Sequence, residues 1–151
     1  MAVARLFHIF GIVVWVGGMF FAYLALRPAA AQELEPQQRL QLWQAVLRRF
    51  FFWVWLAVAL ILASGLYMMR QLGGVSVPLY AYAMMITGLL MVLIFMHVFF
   101  APYRRLRLSI AAQDWKTAAA ALNQIRILVG ANLIFGLVNI VVATLGQSTA
   151  G

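Results

Sequence analysis

The chain has 151 residues, 66% of them hydrophobic and only 9% charged, with a net charge of +8. Soluble domains average about a quarter charged residues and about half apolar ones, so a soluble core of this size is excluded and a bilayer must be the solvent. There is no cysteine, which excludes disulfides, thiolate metal sites and iron–sulfur clusters.

The first apolar run, at about 6–26, is long enough to cross a membrane. It is a long apolar run with no clear A-x-A cleavage pattern and a basic inner flank at Arg27, so it reads as a mature helix rather than a signal peptide. His8, Gly11, Trp15, Gly18 and Ala22 share one face at steps of three and four. Such a small-residue face lets a helix or a flat ligand come close to the backbone. Pro28 and Pro36 predict helix stops. Leu40, Trp43 and Leu47 then recur at helical spacing among Arg and Gln, which predicts a short interfacial helix leading into the second span.

The second span is expected at about 50–69 and the third at about 78–100, with a turn at Gly73, Gly74 and Pro78 between them. Pro102 breaks the chain, and Asp114 is placed to cap a helix starting at Trp115. Leu108, Ala111, Trp115, Ala118, Leu122 and Ile125 form a helical stripe, so an amphipathic cytoplasmic segment is expected over about 104–126. It merges into the fourth span at about 127–145. There Asn132, Gly136, Asn139 and Ala143 share a face, and the asparagines either bond between helices or line a ligand or ion path.

These runs leave no room for a soluble domain. The predicted fold is an all-α integral membrane protein, a single domain over 1–151 built as a four-transmembrane-helix antiparallel bundle. Arg27, Arg39, Arg48 and Arg49 lie in the first loop, and Arg104, Arg105, Arg107, Lys116 and Arg126 in the third, whereas only Arg5 and Arg70 lie on the other side. The positive-inside rule puts both loops in the cytoplasm and both termini on the outer side, toward the periplasm if the cell is Gram-negative. The partner of the basic loops is then the anionic lipid bilayer and not nucleic acid.

Polar side chains at bilayer depth mark functional or interhelical positions. Here they are His8, Ser64, Thr87, His97, Asn132 and Asn139. Thioethers suit Cu(I) and also serve as axial ligands of haem. The expected topology brings Met68, Met69, Met84 and Met85 to the outer half with His8, where they make up a candidate metal site. His97 belongs to the inner end of the third span, about 20 Å deeper at about 1.5 Å per residue. Two axial ligands of one iron stand only about 4 Å apart, so His8 and His97 of one subunit do not share a metal. The only acids are Glu33, Glu35 and Asp114, all in loops. No catalytic carboxylate pair or triad is available, and an enzymatic role would require a bound redox cofactor, making the protein a haem-dependent oxidoreductase.

HIFGIVVWVGG at 8–18 resembles the start of the CopD family of bacterial copper-resistance membrane proteins, with a first-helix histidine followed by Trp-x-Gly-Gly. VALILASGLYMM at 58–69 is similar to that family's second-helix ending, and the resemblance extends through IRILVGANLIFGLVNIVVATLG at 125–146. It implies copper binding or transport through an outer His/Met site, with a homodimer or membrane partner protein completing the pathway. The same pattern is similar to HemJ, a membrane protoporphyrinogen oxidase carrying b-type haem, although no lysine stands in the third helix here. That similarity implies haem b with His8 as axial ligand. Cofactor-binding candidates are therefore His8, Trp15, Gly18 and His97. A third alternative is a non-catalytic accessory subunit packed against a larger membrane complex.

Overall fold

The computed structural model describes residues 1–71 and 77–149. Five helices follow in chain order: α1 (Ala2–Glu33), α2 (Pro36–Gln71), α3 (Leu79–Phe100), α4 (Pro102–Ala111) and α5 (Trp115–Thr149). Among the described residues, four stretches are long and apolar enough to cross a membrane: α1, α2, the stretch containing α3, and α5. The chain is thus an all-α, four-helix membrane bundle. The turn expected at Gly73 and Gly74 lies outside the described residues.

The helices run further than the apolar runs that define them. With 36 residues, α2 is about 54 Å long, against about 30 Å of hydrocarbon. The amphipathic stretch after Pro36 is its first part and not a separate interfacial helix. Its Leu40 and Leu47 are buried against the bundle.

Pro28 does not stop α1. The helix continues to Glu33, and only there does Leu34 turn extended at φ −119° and ψ 140°. Two stretches of α1, Val13–Gly17 and Ala22–Leu26, are π-helical, and the second directly precedes Arg27 and Pro28. A proline lacks an N–H and crowds the carbonyl one turn back. The wider π turn opens the ladder at that point and accommodates the ring. Pro36 does separate two helices, as expected, by opening α2.

The stripe expected across 108–125 is also interrupted. After α4 the chain reverses: Gln113 adopts φ 58°, its N–H bonds to the Ile110 carbonyl at 3.0 Å, and the Asp114 N–H bonds to the Ser109 carbonyl at 2.9 Å. This is a Schellman closure with glutamine in the left-handed position glycine usually takes. Asp114 then caps α5 as expected, its Oδ1 accepting the Thr117 N–H at 3.0 Å. Helical register does not continue through the turn, so α4 packs back on α5, and Leu106 and Ser109 of the one are buried, as are Ala118, Ala121 and Ile125 of the other. Leu108 is left 61% exposed.

An aromatic cluster holds the bundle together at its arginine-rich end. Phe51 of α2 meets Phe95 of α3 at 5.5 Å and Tyr103 of α4 at 4.9 Å, and Trp15 of α1 meets Phe95 edge-on at 6.1 Å. Toward the other end the helices associate in pairs. α1 lies on α2 and α3 on α5, while α2 and α3 touch only locally.

Candidate functional site

His8 faces α2. Its Nδ1 lies 3.2 Å from the Ile61 carbonyl oxygen and 3.0 Å from the Ser64 hydroxyl. A backbone carbonyl only accepts, so Nδ1 carries the proton and donates to both oxygens. The Ser64 hydroxyl sends its own proton to the Leu60 carbonyl, which leaves its lone pairs to accept from the imidazole. The remaining ring nitrogen, Nε2, therefore holds an unprotonated lone pair. This is how metal-binding histidines are oriented, the second nitrogen being fixed by a carbonyl or carboxylate.

The small residues beneath the imidazole allow this approach. A Cβ on Gly65 would lie 3.5 Å from the His8 Cε1, in ordinary contact. A Cβ on Gly11 would come 2.7 Å from Ile61 Cγ1 and 3.0 Å from the Ala57 carbonyl oxygen, so only glycine lets α1 and α2 sit this close. Beside Ser64, a groove of about 370 Å³ opens between the two helices, lined by Met1, Phe7, Leu60, Ala63, Ser64 and Tyr67.

Met68 and Met69 follow Ser64 and Gly65 by one helical turn on α2, about 6 Å further toward the chain ends. Both are half-buried. Met84 and Met85, also half-buried, stand on α3, which packs chiefly on α5. The structure thus brings His8 to the helix of Met68 and Met69 and leaves Met84 and Met85 on the other pair. Among the described residues no three His, Cys, Asp or Glu side chains gather as a metal cluster.

Trp15 and Gly18 are engaged in packing. Trp15 is 3% exposed against Phe95, and a Cβ on Gly18 would fall 2.3 Å from Phe50 Cε2. His97 is exposed and lies between Phe95 and Phe99, whose rings meet Trp55 at 5.1 and 5.6 Å. Trp55 precedes Ser64 by nine residues, so the two histidines are separated by about 14 Å along α2. That is less than the depth expected from the sequence and still far more than one metal spans.

The α3–α5 seam is polar. The Thr87 hydroxyl lies 2.6 Å from Asn139 Oδ1, and Asn132 Nδ2 donates to the Met91 carbonyl at 3.2 Å. These side chains bind helix to helix. Sequence reasoning singled out Ser64 as a polar intramembrane residue without joining it to His8. The available signal was its spacing, since Ile61, Ser64, Gly65 and Met68 share one face of α2.

Fold and site together define a polytopic α-helical membrane protein that presents one oriented imidazole at the end opposite its arginine-rich loops. The family model for copper resistance protein D (CopD) matches residues 44–145, and the chain belongs to that family. It is accordingly a multi-pass inner-membrane protein of copper resistance. The matched residues begin within α2, so His8 lies ahead of them. No curated protein matches the chain, and no solved structure does. The family match carries copper; nothing in it supports haem.

Proposed function

We propose that the protein binds copper as its cargo, in the cuprous form, at the outer end of α1 and α2. His8 supplies Nε2, and Met68 or Met69 supplies a thioether from the next turn of α2. Imidazole with thioether is a soft donor set suited to Cu(I). The observation that carries this reading is the Nδ1 bonding of His8 to Ile61 and Ser64, which leaves Nε2 as the nitrogen with a free lone pair. Met84 and Met85 receive or release the ion from α3.

A cavity beside Asn132 at the centre of the bundle measures about 10 Å³, the size of about one water. In this conformation a single chain holds copper at one face, and passage across the membrane involves a second copy or a membrane partner. The basic loops support an outer location for the site by the positive-inside rule.

The test is a Cu(I) titration of the purified protein against a chromophoric chelator. One ion per chain is expected. His8→Ala should weaken binding roughly tenfold or more, and Met68→Leu with Met69→Leu together by a similar factor. Unchanged affinity in His8→Ala would overturn the reading.

A further inference from the structure

A second cluster lies at the opposite end of the bundle, about Tyr103. The ring of this tyrosine is enclosed by Phe51 at 4.9 Å and Phe99 at 5.7 Å, and the residue is only 3% exposed. Its hydroxyl has no hydrogen-bond partner among the described residues. Two guanidinium groups bear on it electrostatically, Arg107 from α4 and Arg48 from α2. The Arg107 guanidinium carbon stands 5.7 Å from the ring centroid. Arg48 precedes Phe51 by three residues and so shares its face of the helix. Neither arginine has a carboxylate partner among the described residues. Two cations and an unpartnered hydroxyl, carried at the edge of a buried ring, thus converge where no protein anion answers them.

We propose that Arg48, Tyr103 and Arg107 form a site for the phosphate of an anionic phospholipid headgroup. Guanidinium groups bind phosphate oxygens in a bidentate manner, and the tyrosine hydroxyl adds one donor. The apolar surroundings fit a lipid better than a soluble phosphate. Tyr103 stacks on Phe99, Phe99 meets Phe100 at 5.1 Å, and Phe100 meets Trp55 at 6.4 Å. Phe100 is 59% exposed and Trp55 36%. Lipid-facing rings therefore lead directly to the cationic pair, apolar wall first and phosphate donors beyond it, in the order of an acyl chain and its headgroup. Basic pockets between spans at the cytoplasmic face are suited to such headgroups. A headgroup with its own ammonium, such as phosphatidylethanolamine, would set that cation against the two arginines. The site therefore selects phosphatidylglycerol-type lipids. It also ties α2 to α4 through one ligand.

The experiment titrates the delipidated full chain in neutral detergent with phosphatidylglycerol, phosphatidylethanolamine or inorganic phosphate, counting bound molecules by native mass spectrometry. Wild type is expected to retain one phosphatidylglycerol at least about tenfold more tightly than phosphatidylethanolamine. At about one cationic contribution lost per arginine, Arg48→Gln with Arg107→Gln should weaken it on the order of 30-fold. Tyr103→Phe should weaken it about fivefold. Arg5→Gln with Arg70→Gln removes the same charge from the other end and should change it less than about threefold. Equal retention of the two lipids by wild type overturns the proposal without any variant. So does equal weakening by the two double substitutions, which would mean diffuse attraction. Inorganic phosphate binding as tightly as the lipid would assign the site to a soluble phosphate instead and refute the lipid.

Discussion

The contact of α1 with α2 makes a quantitative forecast from one substitution placed at two positions of the same helix. A Cβ on Gly11 would stand 2.7 Å from Ile61 Cγ1 and 3.0 Å from the Ala57 carbonyl oxygen, whereas a Cβ on Gly17 meets nothing within 4 Å. Ordinary carbon contacts begin near about 3.5 Å, so Gly11→Ala must push the helices apart by roughly 0.8 Å. Neither obstacle yields cheaply, because Cγ1 is close to the Ile61 backbone and the carbonyl belongs to a helix. Overpacking of this kind costs about 1–3 kcal/mol. The gain in helix propensity from glycine to alanine is about 1 kcal/mol at either position. Gly17→Ala should therefore stabilise by about 1 kcal/mol, and Gly11→Ala should be less stable than it by about 1–3 kcal/mol. The same displacement would stretch the His8–Ile61 contact, now 3.2 Å, beyond hydrogen-bond range and loosen the imidazole. Circular dichroism during titration from mild detergent into dodecyl sulfate measures the difference. If the two variants unfold together, the close approach at Gly11 is not a determinant of this helix pair and the reasoning fails.

Ser64→Ala removes one of the two acceptors of His8 Nδ1 and leaves the Ile61 carbonyl, so Cu(I) affinity should fall by about tenfold, near the lower bound for orienting groups; competition titration reads it. Gln113→Gly relieves a left-handed residue, and about 1 kcal/mol of added stability is expected in the same unfolding assay. Hydrogen bonds from Thr117, side chain and backbone, hold the Asp114 carboxyl below the usual carboxylate range. A lowered folded value means that the cap stabilises fully above the unfolded carboxylate pKa of about 3.9 and is lost as pH falls through the folded value. Amide exchange at Thr117 and Ala118 should thus be protected equally at neutral and mildly acidic pH and lose protection below about pH 4. Asp114→Asn should abolish that pH dependence while keeping the cap.

Why some of this was legible and some was not follows from particular residues. Twenty apolar residues in a row have one destination, so the four spans stood out. Their ends did not, because α2 and α5 continue as helices into water on packing supplied by Leu40, Leu47 and Ala118, which composition does not reveal. Pro28 read as a stop because proline usually is one; the π turn that absorbs it depends on a bond pattern no residue type announces. Asp114 was visible as a cap, but the reversal before it was hidden, since glutamine and not glycine takes the left-handed position. His8 is conspicuous in the sequence, and donor chemistry alone pairs it with the thioethers of Met68, Met69, Met84 and Met85. Its partners are the Ser64 hydroxyl at 3.0 Å and the Ile61 backbone carbonyl at 3.2 Å, and the second has no letter in a sequence. The first-helix motif suggested the family, while the family match itself rests on residues 44–145.

X-ray absorption at the copper edge of the Cu(I)-loaded protein tests the central claim most directly. One imidazole nitrogen and at least one sulfur in the first coordination shell are expected, with the nitrogen lost in His8→Ala and the sulfur lost when Met68 and Met69 are both leucine. A shell of sulfur or oxygen alone, or a nitrogen that persists in His8→Ala, would contradict the account.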